Sequence, residues 1–220
     1  TYNRPRCTGP VTVKDMKPLE IDLVNLRKAL DGISISDAFM NAASPGVIAL
    51  FQPNEYYSDH KSYLYALADS MKVEYEGIVK AGFVIQIDSP DLALGRHVLF
   101  KDKSDEEFIT MIQLHIEALN HALENIPSEK IRLHVCWGNY QGPHHCDIEM
   151  NKILPTVLKA KPQALSFEAS NPRHSHEWTV FRDIKIPEDK ILIPGVIDST
   201  TNFVEHPELV SERICRFADI

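Results

Sequence analysis

The sequence predicts an α/β fold of the (β/α)8 barrel type, and three observations lead to this prediction. Short apolar segments typical of strands alternate with amphipathic helix patterns, which indicates a parallel sheet covered by helices. Neither a G-x-G-x-x-G turn nor a P-loop occurs, so the usual nucleotide-binding signatures of an open doubly wound sheet are missing. Polar or reactive residues end the strands, as they do at the mouth of a barrel, where barrel enzymes keep their active sites.

Hydrophobic periodicity predicts the helices. Residues 58–82 carry apolar side chains at 3- and 4-residue steps, and a glycine ends this helix. Ser104 and Glu107 have the spacing of a capping box at the start of a second amphipathic helix. Two further helices are predicted at 148–160, where a proline interrupts the pattern, and at 207–218.

Four strands are predicted at 83–88, 131–136, 164–168 and 191–198, each apolar on both faces. Another strand with its loop is expected in the region before residue 58, where the hydrophobic pattern is least clear. Five or six strands are fewer than eight, so we expect one domain over residues 1–220 that is a partial barrel, with units missing at both ends. The four strands end in polar or reactive residues: Asp88, Cys136, Glu168 and Asp198.

Composition narrows the range of partners. The chain has 220 residues, a formal net charge of −8 and no Lys/Arg cluster, which argues against nucleic acid and anionic membranes. No apolar run approaches the roughly 20 residues that a membrane-spanning helix needs. No signal peptide opens the chain, and four cysteines are too few for a disulfide scaffold, so we expect reduced thiols and a cytoplasmic protein. The sequence leaves the oligomeric state open.

The stretch RLHVCWGNYQGPHHCD, residues 132–147, is the richest in reactive side chains. His134 and Cys136 are two residues apart at the end of a predicted strand, so both side chains point the same way, and together they suit zinc. On this spacing alone, a core histidine beside a buried cysteine is the simpler interpretation. Glu168 favours the metal, because a carboxylate ending the next apolar strand needs a partner. We therefore predict His134, Cys136 and Glu168 as zinc ligands and expect no chemistry at Cys146.

Four further residues are predicted to contact substrate. Asp88 precedes Ser-Pro at a strand end, where it either caps the following turn or binds a substrate ammonium group. Arg173, in the loop NPRHSHEW, either binds a substrate anion or is solvated. His144 follows Gly-Pro in a loop, where it either orients a substrate or is simply exposed, and Asp198 ends a strand at the same mouth. Cys215 is expected to fill the apolar face of the last helix.

Three segments carry a resemblance to a known family. HVCWGNYQGPHH, SFEASNPRHSHEW and IPGVIDSTTNFVEHPELV together resemble the cobalamin-independent methionine synthase superfamily, and QIDSPDLAL resembles its Q-I-D-x-P segment. The similarity covers roughly residues 55–210 and is strongest to the short, single-barrel members. This superfamily also includes zinc-dependent alkyl-thiol transferases such as epoxyalkane:coenzyme M transferase.

The resemblance implies a (β/α)8 barrel that holds one zinc ion and uses no cobalamin. His134, Cys136 and Glu168 fall on the positions of three zinc ligands, and Asp88 falls on the acid that receives the amino group of homocysteine. The family's fourth ligand, a cysteine on the last barrel strand, has no match here, since Cys215 lies too early and on a helix. The histidine that helps to protonate the leaving folate also has no match in GVIDSTTNF.

The activity implied is methyl transfer from 5-methyltetrahydrofolate to homocysteine, which gives methionine. A free thiol, with a pKa of about 8.5, is mostly protonated at neutral pH, and zinc removes that proton while leaving the sulfur reactive. Three alternatives stay open. One is zinc-dependent alkyl transfer with another thiol or a non-folate donor, another is metal-free chemistry with Cys136 as nucleophile and His134 as base, and the third is an inactive barrel relic.

Overall fold

The computed structural model describes residues 4–139 and 142–220 of the chain. These residues form five parallel strands that lie side by side in the order in which they occur along the chain. The fold is therefore α/β with a parallel sheet, as predicted, whereas closure into an eight-stranded barrel stays a prediction. The strands are β1 (Phe39–Ala43), β2 (Val84–Asp88), β3 (Ile131–Val135), β4 (Ala164–Glu168) and β5 (Ile191–Gly195).

Helices connect the strands, as parallel neighbours require. The two longest, α3 and α5, precede β2 and β3 and pack against each other. Within the described ranges the helices are α1 (Lys17–Ala29), α2 (Pro45–Phe51), α3 (His60–Lys80), α4 (Leu94–Val98), α5 (Asp105–Ala122), α6 (Met150–Val157), α7 (Val180–Asp183) and α8 (Pro207–Ala218), with short 3-10 turns at Pro90–Leu92, Ser128–Lys130 and Glu177–Thr179.

Side-chain caps explain where the two long helices begin. At the start of α3, Asp59 Oδ1 accepts a hydrogen bond from the Ser62 N–H at 2.7 Å. At the start of α5, Ser104 Oγ accepts from the Glu107 N–H at 3.2 Å, and Glu107 Oε2 accepts from the Ser104 N–H at 2.8 Å. The predicted capping box is therefore confirmed. After α3, Gly82 adopts a φ of +93°, which glycine reaches without strain.

The two faces of the sheet differ in polarity. Ile85 and Ile87 of β2 and Leu133 of β3 are buried in a core shared with α3 and α5. Alternate residues point to the opposite face, so the expectation that each strand is apolar on both faces is wrong for β2 and β3. The reason is that the residues on the second face are only partly buried, so polar side chains are tolerated there. The polar residues on that face are Gln86, Asp88, Arg132 and His134.

The core depends on the long helices. Each large side chain that α3 and α5 bury contributes about 1.5–3 kcal/mol relative to leaving it exposed. These contacts fix the sheet against the helices and so fix the strand ends on which the site is built. The buried side chains include Leu64, Tyr75, Ile78, Phe108, Ile112 and Ile116.

Two strands end earlier than predicted. β3 ends at Val135 and β5 at Gly195, so Cys136 and Asp198 lie in the loops that follow these strands. The region before residue 58 contains β1, as expected, but also α1 and α2, which the sequence pattern did not predict. Among the described helices, none combines the length and the hydropathy that a membrane-spanning segment needs.

The last helix packs differently from the expectation. Cys215 on α8 is exposed, so the prediction that it fills an apolar face is wrong. Phe217 is the residue of α8 that packs against the core, and residues two apart lie on different sides of a helix. All four cysteines are free thiols: Cys7, Cys136, Cys146 and Cys215.

Candidate functional site

Neighbouring strands bring three predicted site residues to one edge of the sheet. Asp88 at the end of β2 is paired in register with His134 of β3, and His134 is paired with Ser166 of β4. Glu168 ends β4 and is paired with Gly195 of β5. Because the carboxyl ends of parallel strands share an edge, the side chains of three strands converge there.

A cavity of about 210 Å³ opens at this edge. His134, Cys136 and Glu168 all line it, and so does Asp198. The structure thus brings the three predicted zinc ligands and one predicted substrate-binding residue around a single space. Further wall atoms come from the loops after β3, β4 and β5, among them Asn139, Ser170, Asn171 and Ser199.

Asp88 orients His134. The ring Nδ1 of His134 lies 2.6 Å from Asp88 Oδ1. A carboxylate at Nδ1 fixes the plane of the ring and leaves Nε2 available for a ligand. This orienting position was not predicted from the sequence. It depends on the register between β2 and β3, which places the two residues side by side.

The environment of Cys136 favours the protonated thiol. The pKa of Cys136 is raised to about 11, chiefly by burial and also by the carboxylates of Glu168 and Asp88, against the opposing effects of the Gly138 N–H and Arg173. The Gly138 N–H lies 3.2 Å from Cys136 Sγ. A nearby cation is therefore needed to produce a thiolate here at neutral pH.

Glu168 is held by the loop that follows β4. Asn171 Nδ2 donates to Glu168 Oε2 at 2.8 Å, and Arg173 Nη2 lies 3.8 Å from the same oxygen. Asn171 Oδ1 accepts from the backbone N–H groups of Arg173 and His174, both at 3.0 Å. An asparagine that bonds to the backbone two and three residues on folds the NPRH segment into a tight turn. This turn sets the position of the Glu168 carboxylate.

Arg173 and His144 lie beside this cavity rather than in it. Both line an adjoining cavity of about 470 Å³, and Asn171 lines the two cavities in common. Arg173 Nη1 lies 3.7 Å from Asp147 Oδ2, so the guanidinium stands between Asp147 and Glu168. The His144 side chain is only 2% exposed, which excludes the interpretation that it is a simply exposed loop residue.

Three residues next to Arg173 were not predicted as site residues: the buried His174 and Glu177, and Asp147, whose side chain is 9% exposed. His174 Nε2 lies 3.3 Å from Asp147 Oδ2, and His174 Nδ1 lies 2.8 Å from Glu177 Oε2. Burial alone would lower the pKa of His174, but its hydrogen bonds to Asp147 and Glu177 outweigh burial and raise that pKa to about 9. The segments HHCD and NPRHSHEW did signal polar loops, but only the tertiary structure shows that they meet.

The donor atoms can be compared with the geometry that a metal ion requires. In the described residues, one group of three side chains has its ligand atoms all within 4.8 Å of one another, and it consists of His97, His144 and Asp147. The predicted zinc ligands share a cavity, but they are not drawn together to that extent. Their chemistry nevertheless suits zinc, since they offer one nitrogen, one sulfur and one carboxylate oxygen.

A parallel α/β sheet with imidazole, thiol and carboxylate groups around one cavity places this chain among the α/β proteins that keep their sites at strand ends. The chain belongs to the family of the cobalamin-independent synthase catalytic domain, whose sequence model matches residues 33–220. The resemblance noted in the sequence is therefore confirmed.

Individual relatives carry the name methionine synthase. The chain is 26% identical to the methionine synthase of Saccharolobus solfataricus over 156 residues, which are 69% of this chain and 41% of that protein. It is 30% identical to the methionine synthase of Saccharolobus islandicus over 112 residues, 50% of this chain and 30% of that protein. The chain thus spans less than half the length of these two relatives.

A solved structure shares the fold. The B12-independent methionine synthase from Shewanella sp. W3-18-1, in complex with selenomethionine, matches with a TM-score of 0.71 over 96% of this chain and 58% of that one. The sequence identity is 18%, so this match describes the fold alone.

Proposed function

We propose that this chain transfers a methyl group to the thiol of homocysteine, giving methionine, with one zinc ion held by His134, Cys136 and Glu168. The observation that carries the proposal is that these three side chains line one cavity in a member of the cobalamin-independent synthase family. Homocysteine is the thiol that the family resemblance implies. Methionine as the product agrees with the name methionine synthase of two relatives, of which this chain covers 41% and 30%.

Cys136 supports the choice of a cation site. Its thiol has a pKa of about 11 in this setting, so it becomes a thiolate ligand near neutral pH only beside a positive charge. Asp88 fixes the ring of His134, and Asn171 fixes the carboxylate of Glu168, so two of the three ligands are held before any ion arrives. When bound, zinc would supply the Lewis acidity that lets a substrate thiol lose its proton at neutral pH.

Four residues are proposed to hold the substrates. The Asp88 carboxylate is 47% exposed, so it retains the capacity to accept a hydrogen bond from the ammonium group of homocysteine while it orients His134. Asp198 lines the same cavity and adds a second negative charge for that ammonium. Arg173 and His144 line the adjoining cavity of about 470 Å³, where the guanidinium suits a carboxylate of the methyl donor.

The donor that we propose is 5-methyltetrahydrofolate, which carries carboxylates that Arg173 can pair with. A zinc-dependent transfer with another thiol or a non-folate donor is the second candidate. One observation favours it, namely that the segment GVIDSTTNF, residues 195–203, contains no histidine. The polar side chains there include Asp198, whose Oδ1 accepts a hydrogen bond from the Thr200 hydroxyl at 2.6 Å. Metal-free catalysis by Cys136 is disfavoured by the high pKa of its thiol.

The fold that we propose for the working enzyme is the (β/α)8 barrel, of which the five described strands would form part within a single domain over residues 1–220. The polar face of β2 and β3 would then turn inwards, as the site requires. We place the protein in the cytoplasm, where its four free thiols would stay reduced. Its partners would be small molecules rather than nucleic acid or membranes.

A donor panel tests this proposal. The purified chain, loaded with zinc, is mixed with homocysteine and with each of several methyl donors, and methionine is measured by mass spectrometry. Methionine formed from 5-methyltetrahydrofolate supports the synthase assignment. Transfer from non-folate donors alone supports the second candidate, and a folded, zinc-loaded chain that is inert towards every donor and thiol supports the relic.

A matched pair of variants ties activity to the site. Cys136→Ser should abolish methyl transfer, because it removes the sulfur ligand. Cys146→Ser is the control, since Cys146 lies in the loop of the same stretch but does not line the cavity. Equal loss of activity in both variants would show that the thiol of Cys136 has no special role.

A further inference from the structure

A second group of metal-type side chains lies beside the proposed zinc site. His97 on α4 and His144 and Asp147 in the loop after β3 each offer one ligand atom, and these atoms lie within 4.8 Å of one another. None of the three lines the cavity that contains His134 and Cys136. We propose that His97, His144 and Asp147 form a second site, which binds a divalent transition-metal ion.

The distances between donor atoms suit such an ion. His144 Nδ1 lies 3.0 Å from Asp147 Oδ2, and His97 Nδ1 lies 3.9 Å from Asp147 Oδ1. Ligand atoms at about 2.0–2.2 Å from a zinc-like ion are roughly 3.0–3.5 Å apart. The pair of His144 and Asp147 therefore already has this spacing, and the spacing of His97 and Asp147 exceeds it by less than an ångström. The rings of His97 and His144 are already stacked, with centroids 5.1 Å apart and planes 20° from parallel.

His97 provides independent evidence that an ion binds here. Its Nδ1 is buried and has no hydrogen-bond partner among the described residues. A buried polar atom without a partner costs stability, so native structures rarely leave one unless another group satisfies it. Asp147 Oδ1, at 3.9 Å, is too far for a hydrogen bond. A metal ion held by Asp147 and His144 would give His97 Nδ1 a partner.

Neighbouring side chains hold the carboxylate of Asp147 in place, as is usual for carboxylates that bind metal ions. His174 Nε2 lies 3.3 Å from Asp147 Oδ2, and His174 is fixed in turn by Glu177, whose other oxygen accepts from the Met150 N–H at 2.6 Å. Arg173 Nη1 lies 3.7 Å from the same Asp147 oxygen. These contacts determine the direction of the carboxylate before an ion binds.

The donor set defines the class of ion. Two imidazoles and one carboxylate, without sulfur, suit zinc, cobalt, iron(II) or nickel, and they leave positions for water. His144 also lines the adjoining cavity, so a ligand role for its Nδ1 is compatible with contact between the ring and a substrate. A metal-free hydrogen bond between His144 and Asp147 is the alternative that the experiment has to exclude.

Cobalt titration separates the two sites. The proposed zinc site contains a thiolate, so Co²⁺ bound there gives a thiolate-to-cobalt charge-transfer band, whereas Co²⁺ at the second site gives none. The chelator-treated full chain should bind two equivalents of Co²⁺. His97→Gln should bind one equivalent and keep the band, and Cys136→Ser should bind one equivalent and lose it.

The control is His145→Gln, because His145 is adjacent in space to His97, with ring centroids 5.8 Å apart, but does not belong to the group. It should bind two equivalents, and circular dichroism should show that each variant is folded. If His97→Gln is unfolded, Asp147→Asn replaces it. In that variant the second site, whose Co²⁺ gives no charge-transfer band, should bind Co²⁺ at least tenfold more weakly. A folded His97→Gln or Asp147→Asn chain that binds as much Co²⁺ as the unaltered chain would overturn the proposal.

The second site and the proposed function can fail separately. If the zinc site does not exist but the second site does, the chain binds one equivalent without the band, and His97→Gln removes it. If only the zinc site exists, the chain binds one equivalent with the band, and His97→Gln leaves it unchanged.

Discussion

Without a metal ion, Cys136 should react slowly with alkylating agents. Burial, together with Glu168 and Asp88, raises its pKa from the ordinary 9.0 to about 11. Two pKa units reduce the thiolate fraction at pH 8 by ~100-fold, and the more basic thiolate is intrinsically about tenfold more reactive. The net prediction is labelling about tenfold slower than that of an ordinary thiol, with a rate that rises until about pH 11.

Mass spectrometry of the chelator-treated chain after timed exposure to iodoacetamide reads the rate at each cysteine separately. The exposed Cys215 is the internal reference. Glu168→Gln removes a negative charge that raises the pKa of Cys136, so it should speed labelling and move the midpoint to lower pH. Glu212→Gln on α8, an exposed carboxylate far along the chain, should leave the rate unchanged. A midpoint below pH 9 in the unaltered chain would refute the argument from burial and charge.

Three further predictions concern orientation, packing and pH. Asp88→Asn should weaken zinc binding by about 10–100-fold in a calorimetric titration, because the ring of His134 loses the carboxylate that orients it. The control is Asp69→Asn, which breaks a hydrogen bond between Asp69 and His121 at the surface. Equal zinc affinities in the two variants would contradict the orienting role of Asp88. Ile87→Ala should cost about 2–5 kcal/mol in urea unfolding, whereas Ile214→Ala, 51% exposed, should cost below about 0.5 kcal/mol. The pKa of His174, raised to about 9 from 6.5, lies above its unfolded value, so its stabilisation is complete below pH 6.5 and is lost as the pH rises through 9. The free energy of unfolding should therefore fall by about 3 kcal/mol at most over this range, relative to His174→Gln, and parallel pH profiles would contradict it.

The sequence predicts the elements whose signals are local. α5 begins at a capping box, and α3 ends before a glycine, so both follow from a few neighbouring residues. The pattern at β4 predicts its bounds because its apolar run is short and ends in a charge. α1 was not predicted, because none of its residues is buried and its apolar side chains are only partly covered.

In the candidate site, too, features with a local sequence signal could be predicted, and features that depend on tertiary packing could not. That His134, Cys136 and Glu168 line one cavity could be predicted, because strand periodicity and strand order bring successive strand ends together. Their role as zinc ligands stays a prediction. The contact between His97 and Asp147 was not predicted, because it joins a short helix to a distant loop through tertiary packing. The orienting bond of Asp88 was likewise missed, since it depends on a register that no local pattern gives.

The dependence of methyl transfer on zinc tests the central claim most directly. In the His97→Gln chain, which keeps only the proposed zinc site, methionine formation is measured while zinc is returned stepwise to the chelator-treated protein. Activity should rise in proportion to bound zinc, reach its maximum at one equivalent per chain, and be absent when Cys136→Ser is added. Full activity with zinc occupancy near zero would contradict the account.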